Sequence, residues 1–187
     1  MNMMDGKSIS IRVDGTEIQA RAGATILDIL NENGIEYPQI CHVPEVDPIQ
    51  TCDTCIVEAN GKLVRSCATV AENGMSIDLS GNRVKEAQTE AMDRLLENHL
   101  LYCTVCDNNN GNCTLHNTAE LMGIEHQKYP YTPKEDPSCA VDMSHPFYRY
   151  DPNQCIACGQ CVEVCQNLQV NETLSIDWER ERSRDLG

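Results

Sequence analysis

The stretch CIACGQCVEVC, residues 155–165, constrains this chain more than any other. Tetrahedral zinc sites favour two separated pairs of ligands, one on each arm. The spacing Cys155-x2-Cys158-x2-Cys161-x3-Cys165 instead follows the bacterial ferredoxin run, in which three closely spaced thiolates wrap three corners of a 4Fe–4S cube. In two-cluster ferredoxins the fourth cysteine serves the other cube, so Cys165 is expected to reach toward a second cluster. Two features depart from that run: residue 166 is Gln rather than Pro, and no second run follows. The cube on Cys155, Cys158 and Cys161 therefore lacks an obvious fourth ligand. Cys139 is either that ligand or a lone buried thiol.

Two more cysteine groups precede it. Cys41-x10-Cys52-x2-Cys55-x11-Cys67 offers four thiolates with one CxxC and one distant cysteine. Plant-type ferredoxins hold 2Fe–2S clusters with short spacings and then a distant cysteine, and here the first gap is longer. A four-thiolate zinc site is the alternative. Between these groups lies HLLYCTVCDNNNGNC, which sets His99, Cys103, Cys106 and Cys113 close together. Alone, it fits a zinc site with three thiolates and one imidazole as well as a cluster. Flanked by two iron–sulfur groups, it reads as a 4Fe–4S site with mixed ligands. A neutral imidazole in place of a thiolate lowers the negative charge, which favours the reduced state and raises the potential, as histidine does in Rieske centres.

Composition agrees with a fold that needs metal. Twelve cysteines stand among 187 residues, with one Trp, one Phe and six Tyr. Aromatic side chains supply much of an ordinary core, and small folds short of core material turn to disulfides or metals. The start, MNMMDGKSIS, has no apolar stretch or cleavage pattern. No apolar run approaches the ~20 residues that span a bilayer. A cytoplasmic, reducing location is expected, where metal binding outranks disulfides. The formal net charge of −15 argues against nucleic acid, which is bound through Lys and Arg. It gives a well-solvated surface and is able to steer a basic partner.

Residues 8–20 alternate apolar and polar and turn at Asp14-Gly15, a hairpin signal. ATILDILNENG reads as a short amphipathic helix capped by Thr25 and ended at Gly34. A second hairpin turns at Asn60-Gly61, and Met75, Ile77 and Leu79 alternate as one more strand. Helical spacing predicts a helix over 82–101, with Asn82 as its cap and His99 near its end, and a short helix near 114–124. Residues 127–153 hold five prolines and no period. The expected architecture is α+β. Its parts are a 2Fe–2S domain over 1–81, a small helical 4Fe–4S domain with one His and three Cys ligands over 82–124, a linker over 125–145, and a truncated ferredoxin-type domain over 146–187. His42, His116, His126 and His145 read as structural or surface residues, and no general base, nucleophile or phosphate loop is evident, so no catalytic residue is expected.

The three groups in this order resemble the N-terminal iron–sulfur region shared by NAD-linked, Bacillus-type formate dehydrogenase alpha subunits, the large iron–sulfur subunit of complex I, and iron-only hydrogenases. YCTVCDNNNGNC and YDPNQCIACGQCVEVCQN look most like the formate dehydrogenase branch, and the likeness runs from about residue 7 to about residue 180. The resemblance implies a β-grasp 2Fe–2S ferredoxin domain on Cys41, Cys52, Cys55 and Cys67. It implies a mixed-ligand 4Fe–4S cube on His99, Cys103, Cys106 and Cys113, and a partial bacterial-ferredoxin-like domain with Cys155, Cys158, Cys161 and Cys165. The implied role is electron transfer between a molybdopterin catalytic domain, which is not in this chain, and an NAD-reducing, diaphorase-type partner. On that view the chain is a fragment of a longer protein. The rival readings are a stand-alone iron–sulfur carrier subunit of a hydrogenase, diaphorase or complex I-like enzyme, and a zinc-stapled interaction scaffold.

Overall fold

Asp14 and Gly15 take φ of 46° and 82° in the computed structural model of the chain. Two successive positive φ values make a turn whose twist matches the strands on either side. The turn joins β1 (Ser8–Val13) to β2 (Thr16–Arg21), which pair antiparallel with Val13 opposite Thr16. Asn60 and Gly61, at 48° and 81°, make the same turn between β3 (Ile56–Ala59) and β4 (Lys62–Arg65). The strand expected around Ile77 is β5 (Ser76–Asp78), which runs parallel to β1 and antiparallel to β3. The sheet order is β2-β1-β5-β3-β4.

The structure describes residues 8–97, 99, 101, 103–106, 108, 110–128, 140–147, 149–177 and 182–185. Cys139 lies outside them. The chain divides into two units, the first of residues 1–39 and 53–90, the second of residues 40–52 and 91–187.

In the first unit, α1 (Ile26–Glu32) starts with a reciprocal cap. Thr25 Oγ1 accepts from the Asp28 amide at 3.1 Å, and the Asp28 carboxylate accepts from the Thr25 amide at 3.2 Å. Both orphan donors are satisfied at once. Gly34, with φ 68°, carries the chain out of the helix. Ile26, Leu27, Ile29 and Leu30 of α1 are fully buried, in one core with Ile9, Ile11, Val13, Val57 and Ile77 of the sheet. Each such side chain contributes roughly 1.5–3 kcal/mol of burial.

The next helix, α2, spans Asn82–Glu97. Asn82 is its first helical residue, not its cap: the Gly81 carbonyl accepts the Lys85 amide at 3.0 Å. The approach is fixed by Asp78, whose Oδ1 accepts from the Ser80 and Gly81 amides at 2.9 and 2.7 Å. A Cβ at position 81 would stand 2.8 Å from the Asp78 carboxylate, so a larger residue there would push that carboxylate aside. The helix also ends earlier than its period suggests. The Leu96 carbonyl accepts the His99 amide at 3.2 Å and the Gln127 side-chain amide, which closes a tighter turn and leaves His99 beyond the helix.

In the second unit, Met92, Leu95 and Leu96 of α2 share a core with Ile40, Cys41, Cys52 and Leu115. Leu115 belongs to α3 (Thr114–Leu121). Asp142, in the segment read as a linker, forms an isolated antiparallel bridge with Tyr150, which lies beyond that segment's end. After α4 (Gln160–Asn167), β6 (Leu174–Asp177) and β7 (Arg182–Asp185) form a two-stranded ribbon that the charged tail did not announce. Among the described residues no helix is long and apolar enough to cross a membrane.

Denaturant titration of the full chain tests the role of α1. Leu30→Ala is expected to cost about 2–5 kcal/mol as a cavity in the first core, and Thr25→Ala about 1 kcal/mol through the lost cap.

Candidate metal centres

The first cysteine group is divided between the units: Cys55 and Cys67 belong to the first, Cys41 and Cys52 to the second. All four are buried. In the first unit the Cys55 backbone is held from two sides. Its carbonyl accepts from the Ser66 hydroxyl at 2.7 Å and the Ser66 amide at 3.2 Å. The next carbonyl, that of Ile56, accepts from the Tyr37 hydroxyl at 2.7 Å and from Gln88 Nε2 at 3.1 Å, while Gln88 also donates to the Tyr37 oxygen at 2.8 Å. The first turn of α1 fixes the neighbourhood of Cys67, because the Leu27 and Ile26 amides donate to the Ser66 and Thr69 carbonyls at 3.0 and 2.9 Å. Arg65 is bonded to Asp53 at 2.5 Å. That bond holds the guanidinium proton above its usual strength, with smaller help from the nearby Cys67 and Cys55 thiolates. In the second unit Cys41 and Cys52 face each other. Their shared hydrogen bond comes first, then burial and mutual repulsion, in pushing the Cys41 thiol far up.

The second group lies around a cavity of about 190 Å³ in the second unit. His99, Cys103 and Cys113 line it, and Cys106 does not. Cys106 is tied back to Cys103 through its amide, which reaches the Cys103 carbonyl at 3.3 Å. His99 Nδ1 is buried, and Gln127 holds the backbone there by donating to the His99 carbonyl at 3.4 Å. Cys113 caps α3: its sulfur accepts the His116 amide at 3.5 Å. The Cys106 sulfur accepts the Asn108 amide at the same distance.

The third group sits on a loop bent by two left-handed residues, Ala157 at φ 53° and Gly159 at φ 82°. Such a bend turns successive amides inward, and the Ala157 amide donates to the Cys155 sulfur at 3.4 Å. The thiols crowd together. Burial pushes Cys158 up first, and repulsion from Cys161, Cys155 and Cys52 adds to it. Cys161 is also raised, by burial and then by Cys155, with Cys165 a smaller influence. The Cys165 sulfur lies 3.6 Å from the Thr173 hydroxyl.

The eleven cysteines among the described residues are thiols rather than disulfides. Among the described residues no three His, Cys, Asp or Glu side chains converge as a single bound ion requires. The third group and the cavity nonetheless suit a larger group: the donors are thiols that repel one another when ionised, and backbone amides point at their sulfurs. Sequence reasoning missed the residues that hold these loops, namely Ser66, Gln88, Gln127, Thr51 and Gln160. They are ordinary polar residues scattered along the chain, and no spacing marks them.

Three family profiles match. Residues 6–80 match a 2Fe–2S iron–sulfur cluster binding domain, residues 88–128 the NADH-ubiquinone oxidoreductase-G iron–sulfur binding region, and residues 148–168 a 4Fe–4S binding domain. The chain is 98% identical over 182 residues, 97% of its length, to the Bacillus subtilis (strain 168) protein named "Putative formate dehydrogenase YrhE". It is 53% identical over 181 residues to "Probable oxidoreductase YjgC" of the same organism. It spans only 19% and 18% of the lengths of these two relatives. A chain in the crystal structure of a NAD+-reducing NiFe hydrogenase in the H2-reduced state matches with a TM-score of 0.85 and 27% identity, over 97% of this chain and 76% of that one. The protein is an iron–sulfur electron-transfer module. Within that class it is related to the proteins named formate dehydrogenases and to this hydrogenase chain.

Tyr37 gives this subsection its test. Burial first, then the neighbouring Cys55, holds its phenol above the ordinary tyrosine value of 10.0. The folded chain thus keeps a proton that the unfolded chain loses, so the contribution is whole below that value and is lost as pH rises above it. Tyr37→Phe is expected to cost about 1–3 kcal/mol at neutral pH, because it strips the Ile56 carbonyl and Gln88 of a partner. The gap from wild type should narrow in denaturant titrations above pH 10.

Proposed function

We propose that this chain relays electrons between a molybdopterin site elsewhere in a formate dehydrogenase-like protein and an NAD-reducing, diaphorase-type partner. Cys41, Cys52, Cys55 and Cys67 hold a 2Fe–2S cluster, and the five-stranded sheet with α1 is its β-grasp domain. His99, Cys103, Cys106 and Cys113 hold a 4Fe–4S cluster with one imidazole ligand. Cys155, Cys158 and Cys161 hold a ferredoxin-type 4Fe–4S cluster, with Cys165 directed to a further one. The domains are 1–81, 82–124 and 146–187, joined by 125–145, and the location is cytoplasmic. One observation carries this reading most: the match of 97% of the chain, at a TM-score of 0.85, to a chain of an NAD+-reducing enzyme. The cavity shared by His99, Cys103 and Cys113 supports the mixed-ligand site. The names of the relatives support formate as the ultimate donor, and the large part of their length beyond this chain leaves room for the catalytic domain.

A second reading is a separate carrier subunit of a hydrogenase, diaphorase or complex I-like enzyme. It is favoured by the fact that this chain spans 76% of its hydrogenase counterpart, so a chain little longer than this serves there. Both readings share the clusters, which supply one-electron storage; the protein supplies ligands, amides toward sulfur and exclusion of water.

Iron, acid-labile sulfide and zinc per chain test the reading on anaerobically reconstituted protein. Iron and sulfide are expected in equal amounts, about six per chain if the third group stays open and about ten if it closes. Zinc without sulfide would establish the scaffold reading instead. His99→Cys is expected to lower the midpoint potential of the second cluster in a redox titration, since it adds a negative ligand. An unchanged or higher potential removes His99 from the ligand set.

A further inference from the structure

Within the second unit, segment 40–52 and the loop 155–161 are joined by side chains that no spacing rule predicts. The Thr51 hydroxyl donates to the Cys158 carbonyl at 2.7 Å. Gln160 Nε2 donates to the Ile40 carbonyl at 2.5 Å and reaches the His42 carbonyl at 3.4 Å, so it grips both residues that flank Cys41. Gly159 lets the Ile49 side chain pack against the loop: a Cβ there would stand 2.9 Å from Ile49 Cγ2, and its φ of 82° disfavours any other residue. Thr51 directly precedes Cys52 in the chain. One hydroxyl hydrogen bond and the intervening backbone therefore link Cys52 of the first group to Cys158 of the third.

We propose that Thr51 and Gln160 are positioning residues that fix the spacing between the ligand loop of the third group and the Cys41 and Cys52 arm of the first, and that this seam is the electron junction between them. The inference rests on both groups holding clusters, as set out under the proposed function. Passage across the seam is a one-electron exchange in which one cluster is oxidised as the other is reduced, with no bond made or broken and no proton moved. The bond from Thr51 does two things at once. It satisfies a carbonyl on a loop that has no ladder to join, and it removes the freedom by which the two loops would drift apart. Threonine suits the task because valine has the same shape without the donor.

The test uses the full chain, reconstituted anaerobically, as wild type, Thr51→Val, Thr51→Ser and Gln160→Leu. Iron and sulfide content are read first. Hydrogen exchange of amides in 40–52 and 158–163 follows, then the electron paramagnetic resonance spectrum after dithionite reduction. Thr51→Val is expected to keep wild-type iron, to speed exchange at the seam about fivefold, the worth of one hydrogen bond, and to lose spin–spin broadening between the two clusters. Thr51→Ser should restore both, which a merely space-filling role would not do. Gln160→Leu should repeat the exchange effect around Cys41, and so carries the test if the Thr51 variants fold poorly. Full iron with unchanged broadening and exchange in both Thr51→Val and Gln160→Leu overturns the junction alone. A wild-type chain that takes up no iron or sulfide overturns the cluster reading first and the junction with it.

Discussion

A cysteine loop that bends around a metal group leaves backbone carbonyls outside any helix or sheet ladder, and each must find a donor or lose about 1–3 kcal/mol. This chain meets that demand the same way at every candidate centre. Ser66 donates to the Cys55 carbonyl and Gln88 to the next one. Gln127 donates to the carbonyls of Leu96 and His99. Thr51 donates to Cys158, and Gln160 to the carbonyls on either side of Cys41. All five donors are uncharged. Each comes from a residue remote in sequence or across a turn, so each loop is held by the fold and not by its own spacing.

The constraint has a second half, in the thiols. Cys41 faces Cys52, and Cys158 and Cys161 feel Cys155. Cys41 is raised first by its hydrogen bond with Cys52 and then by burial and like charge, and Cys158 and Cys161 are raised by burial and then by neighbouring thiols, yet a thiolate is the species that binds metal. A cation that takes the protons' place relieves both penalties together, which couples metal uptake to the final packing of the loops. The scarcity of aromatic residues fits this arrangement: much of what an ordinary core supplies through rings is left here to ligand bonds.

The parts of the fold legible in the sequence were those set by local chemistry. Asp14-Gly15 and Asn60-Gly61 specify their turns because few residues accept positive φ twice in a row. Thr25 and Asp28 specify the start of α1 because the capping box is complete within four residues. The cysteine groups stood out by spacing alone. What escaped was decided at a distance. The apolar period of α2 continues past Glu97, but Gln127 takes the Leu96 carbonyl and ends the helix. Asn82 has the chemistry of a cap, but Asp78 turns the chain one residue earlier. The ribbon of β6 and β7 arises from a tail whose charge hides its pairing.

The choice of neutral donors is itself informative about function. A lysine or arginine would satisfy the same carbonyls, but would bring a full positive charge close to the sulfurs and raise the potential of whatever they hold. Threonine, serine and glutamine fix the backbone without adding a charge. Near the centres, that leaves the tuning to amides that point at sulfur and, on the proposed ligand set, to the His99 imidazole. Arg65 is the exception, and its charge is already taken up by Asp53. A relay needs neighbouring centres with graded potentials held at fixed spacing. Rigid loops with little added charge provide the spacing, and ligand identity is left to provide the grading.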